Sequence, residues 1–453
     1  MTGLRFVGVV LAIASAQACG ADADAIKRGE YLARAGDCVG CHTAPGGKPM
    51  AGGLSLSTPV GAIVSTNITP SKTHGIGNYT LEQFSAAVRS GIRADGRHLY
   101  PAMPYNAYAK VTDDDVRLLY AYFIDGVAPV DATPPATDLP FPFNIRLSMA
   151  GWNLLFLDRQ PFQQEPGKDA QWNRGAYLVR GFGHCGACHT PRNVLMAEEQ
   201  SHELGGGELG PWNAPNLTSD ANSGVGGWSE RELTDYMLFG HAPKAQAAGP
   251  MAEAIDNSLR HLTTEDLRSI AAFLKSMPPL RDPADTRPVY EWGGPAEDFN
   301  DLRGREGPEG RDQMSGPQLY DGYCASCHQS GGQGSFDGGL PSLFHNSGVG
   351  RANTNNLVMV MLEGIQRQVE PYEMRMPGFA SELSDTQLAT LGSYLVQRYG
   401  NPQARVTVAE VERLRAGGGA SSMILAVRAG MVLAAIALIA AIFLSGRRMR
   451  RNK

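Results

Sequence analysis

Three copies of Cys-x-x-Cys-His stand in one 453-residue chain: Cys38-Val-Gly-Cys41-His42, Cys185-Gly-Ala-Cys188-His189 and Cys324-Ala-Ser-Cys327-His328. Chance placement of 7 Cys and 10 His over this length gives roughly 0.002 copies, so the triplication carries function. Two thiols separated by two residues sit on one helical turn, where both can add to the vinyl groups of one porphyrin. The histidine that follows then faces the iron. The pattern is that of covalent haem c attachment, repeated three times. Cys38, Cys41, Cys185, Cys188, Cys324 and Cys327 are the expected attachment points, and His42, His189 and His328 the expected iron ligands. Zinc would need a second Cys or His pair at ligand spacing, yet each motif stands over a hundred residues from the next. A thioredoxin-like disulfide would need one such motif in a βαβ setting.

A methionine follows each motif at a similar station: Met103 in Pro101-Ala-Met-Pro104, Met251 in Gly249-Pro-Met251, and Met376 in Met374-Arg-Met-Pro377. They lie 61, 62 and 48 residues beyond the respective histidines. A thioether as sixth ligand favours reduced iron and suits electron transfer, and a neighbouring proline stiffens the loop that presents it. Any one methionine is equally a core filler; three at matching stations in a repeat point to ligation. Met103, Met251 and Met376 are the expected sixth ligands, with Met374 the rival in the third copy. His98 and His241, upstream in the same loops, are the bis-histidine alternative.

The elements that must position these groups are also repeated. Arg28-Gly-Glu-Tyr-Leu32 leads into the first motif, Arg174-Gly-Ala-Tyr-Leu178 into the second, and a looser Gly316-Pro-Gln-Leu-Tyr320 into the third. Glycine beside an aromatic on a short helix permits close packing against another helix. Capping signals at Thr112, Thr263 and Ser384 open amphipathic closing helices, and caps at Thr80 and Ser229 open a middle helix in the first two copies. Each copy therefore reads as helix, haem motif, long loop, helix, loop, closing helix.

Length suggests about three domains. Aromatic content of 8%, with 54 Gly and 29 Pro, suits small loop-rich units that fill their cores with porphyrin. Of the seven cysteines only Cys19 lies outside the motifs, so no structural disulfide is available. Arg5, the apolar run Phe6–Ala14 and small residues up to Ala18 read as a signal peptide over 1–18, with Ala18-Cys19 a possible lipoprotein site. At the other end, 18 uncharged residues from Ala429 to Gly446 precede Arg447, Arg448, Arg450, Arg451 and Lys453, which predicts a spanning helix over 429–446. The positive-inside rule then puts the basic tail 447–453 in the cytoplasm and the haem domains outside. Setting aside Arg5 and the tail leaves 34 cationic against 45 anionic residues, so net charge moves from −5 to −11. Such a surface excludes nucleic-acid binding by phosphate neutralisation. Thr133–Phe143 reads as a stiff Pro-rich connector, and 145–157 as an apolar segment without a core of its own. The Gly-rich stretches Gly205–Gly207 and Gly331–Gly334 lack the strand–turn–helix setting of a nucleotide site and read as loops.

Taken together, the three motifs, Asn67-Ile-Thr-Pro70 with its echo Asn216-Leu-Thr218, Gly75-Ile-Gly-Asn-Tyr79 with its echo Gly224-Val-Gly-Gly-Trp228, and Met103-Pro104 and Met376-Pro377 resemble the membrane-bound tri-haem cytochrome c subunits of bacterial periplasmic dehydrogenases. The resemblance covers nearly the whole chain. It implies a mainly α fold: three tandem class I cytochrome c-like domains at 23–130, 166–278 and 313–400, with linkers at 131–165, 279–312 and 401–428, plus the C-terminal transmembrane helix. It implies three covalent haem c groups and a separate catalytic subunit of flavin, quinoprotein or molybdenum type that oxidises a sugar, sugar acid or alcohol. Electrons would pass through the haems to ubiquinone or another acceptor, the chain itself having no catalytic residue and lying in the bacterial inner membrane with its haems in the periplasm. A free-standing multihaem enzyme such as a peroxidase, which needs an open iron position, and a terminal-oxidase cytochrome subunit are the alternatives.

Overall fold

Short polar caps and small residues decide where the helices start and how closely they cross. The computed structural model describes residues 18–451 except 297–298, 300, 305, 337–338, 370–371 and 419–422. The expected signal segment lies, but for Ala18, outside the described residues. The first unit comprises α1 (Ala18–Ala35), α2 (Cys38–Cys41), the hairpin β1 (Ser55–Thr58)–β2 (Gly61–Val64), α3 (Leu81–Ser90), α4 (Tyr105–Tyr108) and α5 (Asp113–Ala121). After α6 (Ser148–Phe156), the second comprises α7 (Ala170–Tyr177), α8 (Gly186–His189), β3 (Gly207–Leu209)–β4 (Trp212–Ala214), α9 (Glu230–Phe239), β5 (His241–Ala242)–β6 (Ala245–Gln246), α10 (Gly249–Asn257) and α11 (Thr264–Ser276). The third comprises α12 (Gly316–Tyr323), α13 (Ala325–His328), α14 (Ser347–Gly350), α15 (Asn355–Glu363), β7 (Ile365–Val369)–β8 (Tyr372–Met376), α16 (Asp385–Tyr399) and α17 (Val408–Arg415), followed by α18 (Met423–Arg451). All four hairpins are antiparallel.

The capping signals act as read. Thr80 with Gln83, Ser229 with Glu232 and Ser384 with Gln387 form capping boxes at α3, α9 and α16. The Thr112 and Thr263 hydroxyls accept from the Asp115 and Asp266 backbone N–H at α5 and α11. In each unit the helix before the haem motif packs on the closing helix: α1 on α5, α7 on α11, α12 on α16. Glycine makes this possible. A Cβ at Gly29 would lie 2.1 Å from the Leu118 carbonyl oxygen, and one at Gly175 only 1.9 Å from that of Ser269.

The first two units share one apolar core, in which Leu32, Phe84 and Leu119 belong to the same cluster as Phe182, Leu267 and Phe273. They also exchange hydrogen bonds reciprocally. The Tyr31 hydroxyl donates to Asp266 at 2.6 Å and accepts from the Thr263 N–H at 3.1 Å. The Tyr177 hydroxyl donates to Asp115 at 2.5 Å and accepts from the Thr112 N–H at 3.2 Å. Each unit thus sends the tyrosine of its repeat onto the cap of the other's closing helix, a local twofold relation. Helix α6 braces the same pair: Asn153 donates to the Ser90 carbonyl and accepts from Tyr105, while the Trp152 indole donates to the Leu195 carbonyl. The third unit has its own core around Leu319, Tyr320, Leu388 and Tyr399. Its joint with the second includes Trp212 packed against that core and paired Asn213–Asn356 bonds at 2.8 and 2.7 Å.

One expectation is overturned. Among the described residues no helix is long and apolar enough to cross a membrane. Helix α18 is 29 residues long, but Arg428 sits in its second turn and donates to the Phe141 carbonyl at 3.0 Å. The transmembrane helix at 429–446, and the inner-membrane placement with a cytoplasmic tail that rested on it, are therefore not sustained.

Two outcomes test this account of the packing. Gly175→Ala should lose ~3 kcal/mol in a denaturant melt through overpacking against Ser269, whereas Gly151→Ala in α6, with nothing within 4 Å, should be neutral or gain ~0.5 kcal/mol. At Asp266, burial alone would raise the carboxyl, but the Arg174 guanidinium and Tyr31 hydroxyl outweigh it and hold it below the ordinary carboxylate value. A depressed folded pKa gives stability that is fully present above the unfolded value of about 3.9 and is lost as pH falls through the folded value. The joint between the first two units should therefore loosen below about pH 4, and Asp266→Asn should flatten that part of a stability-against-pH curve.

Candidate haem-binding sites

Each Cys-x-x-Cys-His motif folds into the same single helical turn, closed by a bond from the histidine N–H to the first cysteine's carbonyl: 2.9 Å for His42 to Cys38, His189 to Cys185 and His328 to Cys324. Both cysteines of a motif thus sit on the turn that its histidine closes. Among the described residues none of the six is in a disulfide. Burial pushes the Cys38, Cys185 and Cys324 thiols up to about 12, and Cys41 to about 11.

The imidazoles are fixed by two further contacts, also in triplicate. His42 Nδ1 lies 2.7 Å from the Thr66 carbonyl, His189 Nδ1 2.6 Å from that of Pro215, and His328 Nδ1 3.0 Å from that of Pro341. A carbonyl can only accept, so each Nδ1 carries the proton and each Nε2 keeps its lone pair for a metal. Burial lowers the pKa of all three rings, that of His189 to about 4, so they stay neutral, as iron ligands must be. The backbone of each ring is pinned as well: Gly52, Gly206 and Gly334 donate N–H to the carbonyls of His42, His189 and His328 at 2.7, 2.8 and 3.1 Å. These glycines have φ of 73°, 104° and 71°, which few other residues adopt.

The echo Asn67-x-Thr69 and Asn216-x-Thr218 supports the accepting carbonyl, because Thr66 and Pro215 are the residues immediately before the two asparagines. Asn67 Oδ1 accepts from both the N–H and hydroxyl of Thr69 at 2.9 and 2.7 Å, and its amide donates to the Val130 and Ala132 carbonyls. Asn216 repeats this with Thr218 at 2.7 Å for both bonds and with the Leu280 carbonyl. In the third unit Ser342 follows Pro341, and Asn346 donates to its carbonyl instead. The pinning glycines and these carbonyls were not singled out from sequence. The Gly-rich loops at 205–207 and 331–334 were visible, and the structure gives them the task of holding a histidine.

The methionines occupy three different local settings. Met103 lies just before α4, partly buried against the shared core, and Met251 in the first turn of α10, partly buried beside Ile255 and Ala252. Met376 ends β8 and packs against the third core. Met374, two residues earlier, falls on the same face of that strand, so the strand itself does not choose between them. His98 lies in the loop before α4 with a buried, unpartnered Nδ1, and His241 in β5. The first two motifs approach each other: α10 packs on α2, and Cys188 is near enough to Cys41 to help raise its thiol, after burial and the Asp37 carboxylate. Neutral imidazoles presenting Nε2 beside paired thiols on one turn are the donor set that haem c requires, and the residues present fit it.

The family model described as "Cytochrome C oxidase, cbb3-type, subunit III" matches residues 311–395, which is the third unit alone. Over nearly its whole length the chain is similar to the fructose dehydrogenase cytochrome subunit of Gluconobacter japonicus, at 44% identity over 446 residues, 94% of this chain and 92% of that protein. It is 40% identical over 404 residues to the gluconate 2-dehydrogenase cytochrome c subunit of Pantoea cypripedii, covering 86% of this chain and 89% of that one. It is 36% identical over 429 residues to the cytochrome c subunit of the quinone alcohol dehydrogenase of Gluconobacter oxydans, covering 90% and 86%.

Asn216→Ala should lower stability by ~2 kcal/mol, because the Thr218 N–H and the Leu280 carbonyl each lose a buried partner. Asn216→Asp, which keeps the accepting oxygen for Thr218, should retain part of it. Thermal melts followed at the haem absorbance check both.

Proposed function

The chain belongs to the cytochrome c subunits of bacterial fructose, gluconate and alcohol dehydrogenases, and on that premise we propose that it relays electrons through three covalent haems. The source is a dehydrogenase catalytic subunit acting on a sugar, sugar acid or alcohol, and the acceptor is ubiquinone or another respiratory carrier. The haem domains are those at 23–130, 166–278 and 313–400. Haem c supplies an iron that cycles between two oxidation states. The protein attaches it through Cys38 and Cys41, Cys185 and Cys188, and Cys324 and Cys327. It would bind the iron through Nε2 of His42, His189 and His328, and Met103, Met251 and Met376 would supply the thioether, Met374 remaining the rival in the third unit.

The single observation that supports this reading most is the threefold commitment of imidazole Nδ1 to a backbone carbonyl. It leaves one nitrogen per ring for iron and holds the ring against reorientation, as rapid electron transfer without ligand exchange requires. With an imidazole and a thioether of the chain committed to each iron, a substrate would find no open position there, and oxidation would be left to the partner. The oxidase-subunit alternative has the match over 311–395 in its favour, but that match covers one unit where the dehydrogenase subunits align with about nine-tenths of the chain.

The pyridine haemochrome of purified protein should report three haems per chain, and a dehydrogenase catalytic subunit should co-purify with it. Fewer than three haems, or an oxidase core as the partner, would overturn the proposal. Met103→Ala, Met251→Ala and Met376→Ala should each remove one haem's share of the methionine–iron charge-transfer band from the oxidised spectrum, while Met374→Ala leaves the band intact.

A further inference from the structure

Arg367, on β7, is only 2% exposed. Its guanidinium reaches out of the third unit into the second, donating to the Asp256 carboxylate at 2.7 and 3.2 Å and to the Phe239 carbonyl at 3.1 Å. The second unit is shaped to admit it: a Cβ at Gly240 would lie 1.7 Å from Nη1. Both ends of this contact sit on elements that carry a methionine of interest. Asp256 belongs to α10, whose first turn holds Met251. Arg367 pairs directly across the hairpin with Met374, and Met376 lies two residues further along the same strand. Desolvation cancels most of the attraction in a buried ion pair, so such a pair adds little stability over a well-packed apolar contact, and its place here asks for another role.

We propose that the Arg367–Asp256 pair positions and electrostatically links the second and third haems. It fastens the Met251 helix to the Met374/Met376 strand and sets the potentials of both irons with one shared pair of charges. Ferric iron carries one more positive charge than ferrous iron, so a desolvated cation beside an iron site raises its potential and a carboxylate lowers it. The proposal rests on the methionine ligation given above.

The test is a spectroelectrochemical titration of the intact, haem-loaded protein. Arg367→Gln leaves the carboxylate unopposed and should lower two of the three midpoint potentials. Asp256→Asn leaves the guanidinium unopposed and should raise the same two. A purely structural contact would loosen in both variants and shift potentials in one direction. Arg367→Lys, which keeps the charge, should stay nearer to wild type than Arg367→Gln. If Arg367→Gln fails to fold, Asp256→Asn and Arg367→Lys still decide the matter, because the Asp256 side chain is 28% exposed and tolerates an amide. Unchanged potentials, shifts of the same sign, or movement of a single haem would each overturn the link. If instead the methionine–iron band of the wild-type protein survives Met251→Ala and the double change of Met374 and Met376, the ligation reading itself has failed.

Discussion

An imidazole can serve a metal with only one nitrogen at a time, and the loops around the three motif histidines fix which one is left. In each unit a backbone carbonyl accepts a hydrogen bond from Nδ1–H. That carbonyl must be held still, so the loop carrying it is cross-braced: Asn67 and Asn216 fold the following threonine back onto themselves and tie the loop to the segment after the closing helix. A glycine of positive φ holds the histidine's own carbonyl from the other side. Most of the local architecture around each motif exists to orient one five-membered ring.

The units are then joined in two physically different ways. The first and second merge their apolar cores and exchange tyrosine–aspartate bonds, so neither buries its surface fully alone. The third keeps a separate core and meets the second through the Trp212 side chain together with amides, backbone groups and the Arg367–Asp256 ion pair. Joints of the first kind resist separation through area removed from water. Those of the second kind are directional and fix orientation more than they add stability. Helix α10 lies where these joints meet, touching α2 of the first unit, α9 of its own and β7 of the third.

Much of this was legible in the residues. The helical turns of the three motifs and the five caps could be read because each is a local pattern whose meaning depends on neighbours a few positions away. The Asn-x-Thr echo was visible as a repeat, but its bracing role was not, because the amide partners lie 63 to 65 residues on. Arg367 was not legible: its partner lies 111 residues upstream, and nothing near it marks it as buried. The tyrosines of the repeat were read as packing residues within their own units. That they cap the other unit's helix depends on docking, which periodicity does not encode. The carboxyl-terminal run misled because an uninterrupted apolar stretch reads as a span, while the structure extends the helix back through Arg428 and ties that residue to the Phe141 carbonyl.

The reciprocal exchange between Tyr31–Asp266 and Tyr177–Asp115 is the contact that two copies of a single-haem protein would make about a symmetry axis. Written into one polypeptide, such a meeting is intramolecular, at an effective concentration on the order of millimolar or higher. The mutual placement of the first two motifs is then independent of how much protein the cell makes, and each half is free to diverge in sequence without losing its neighbour.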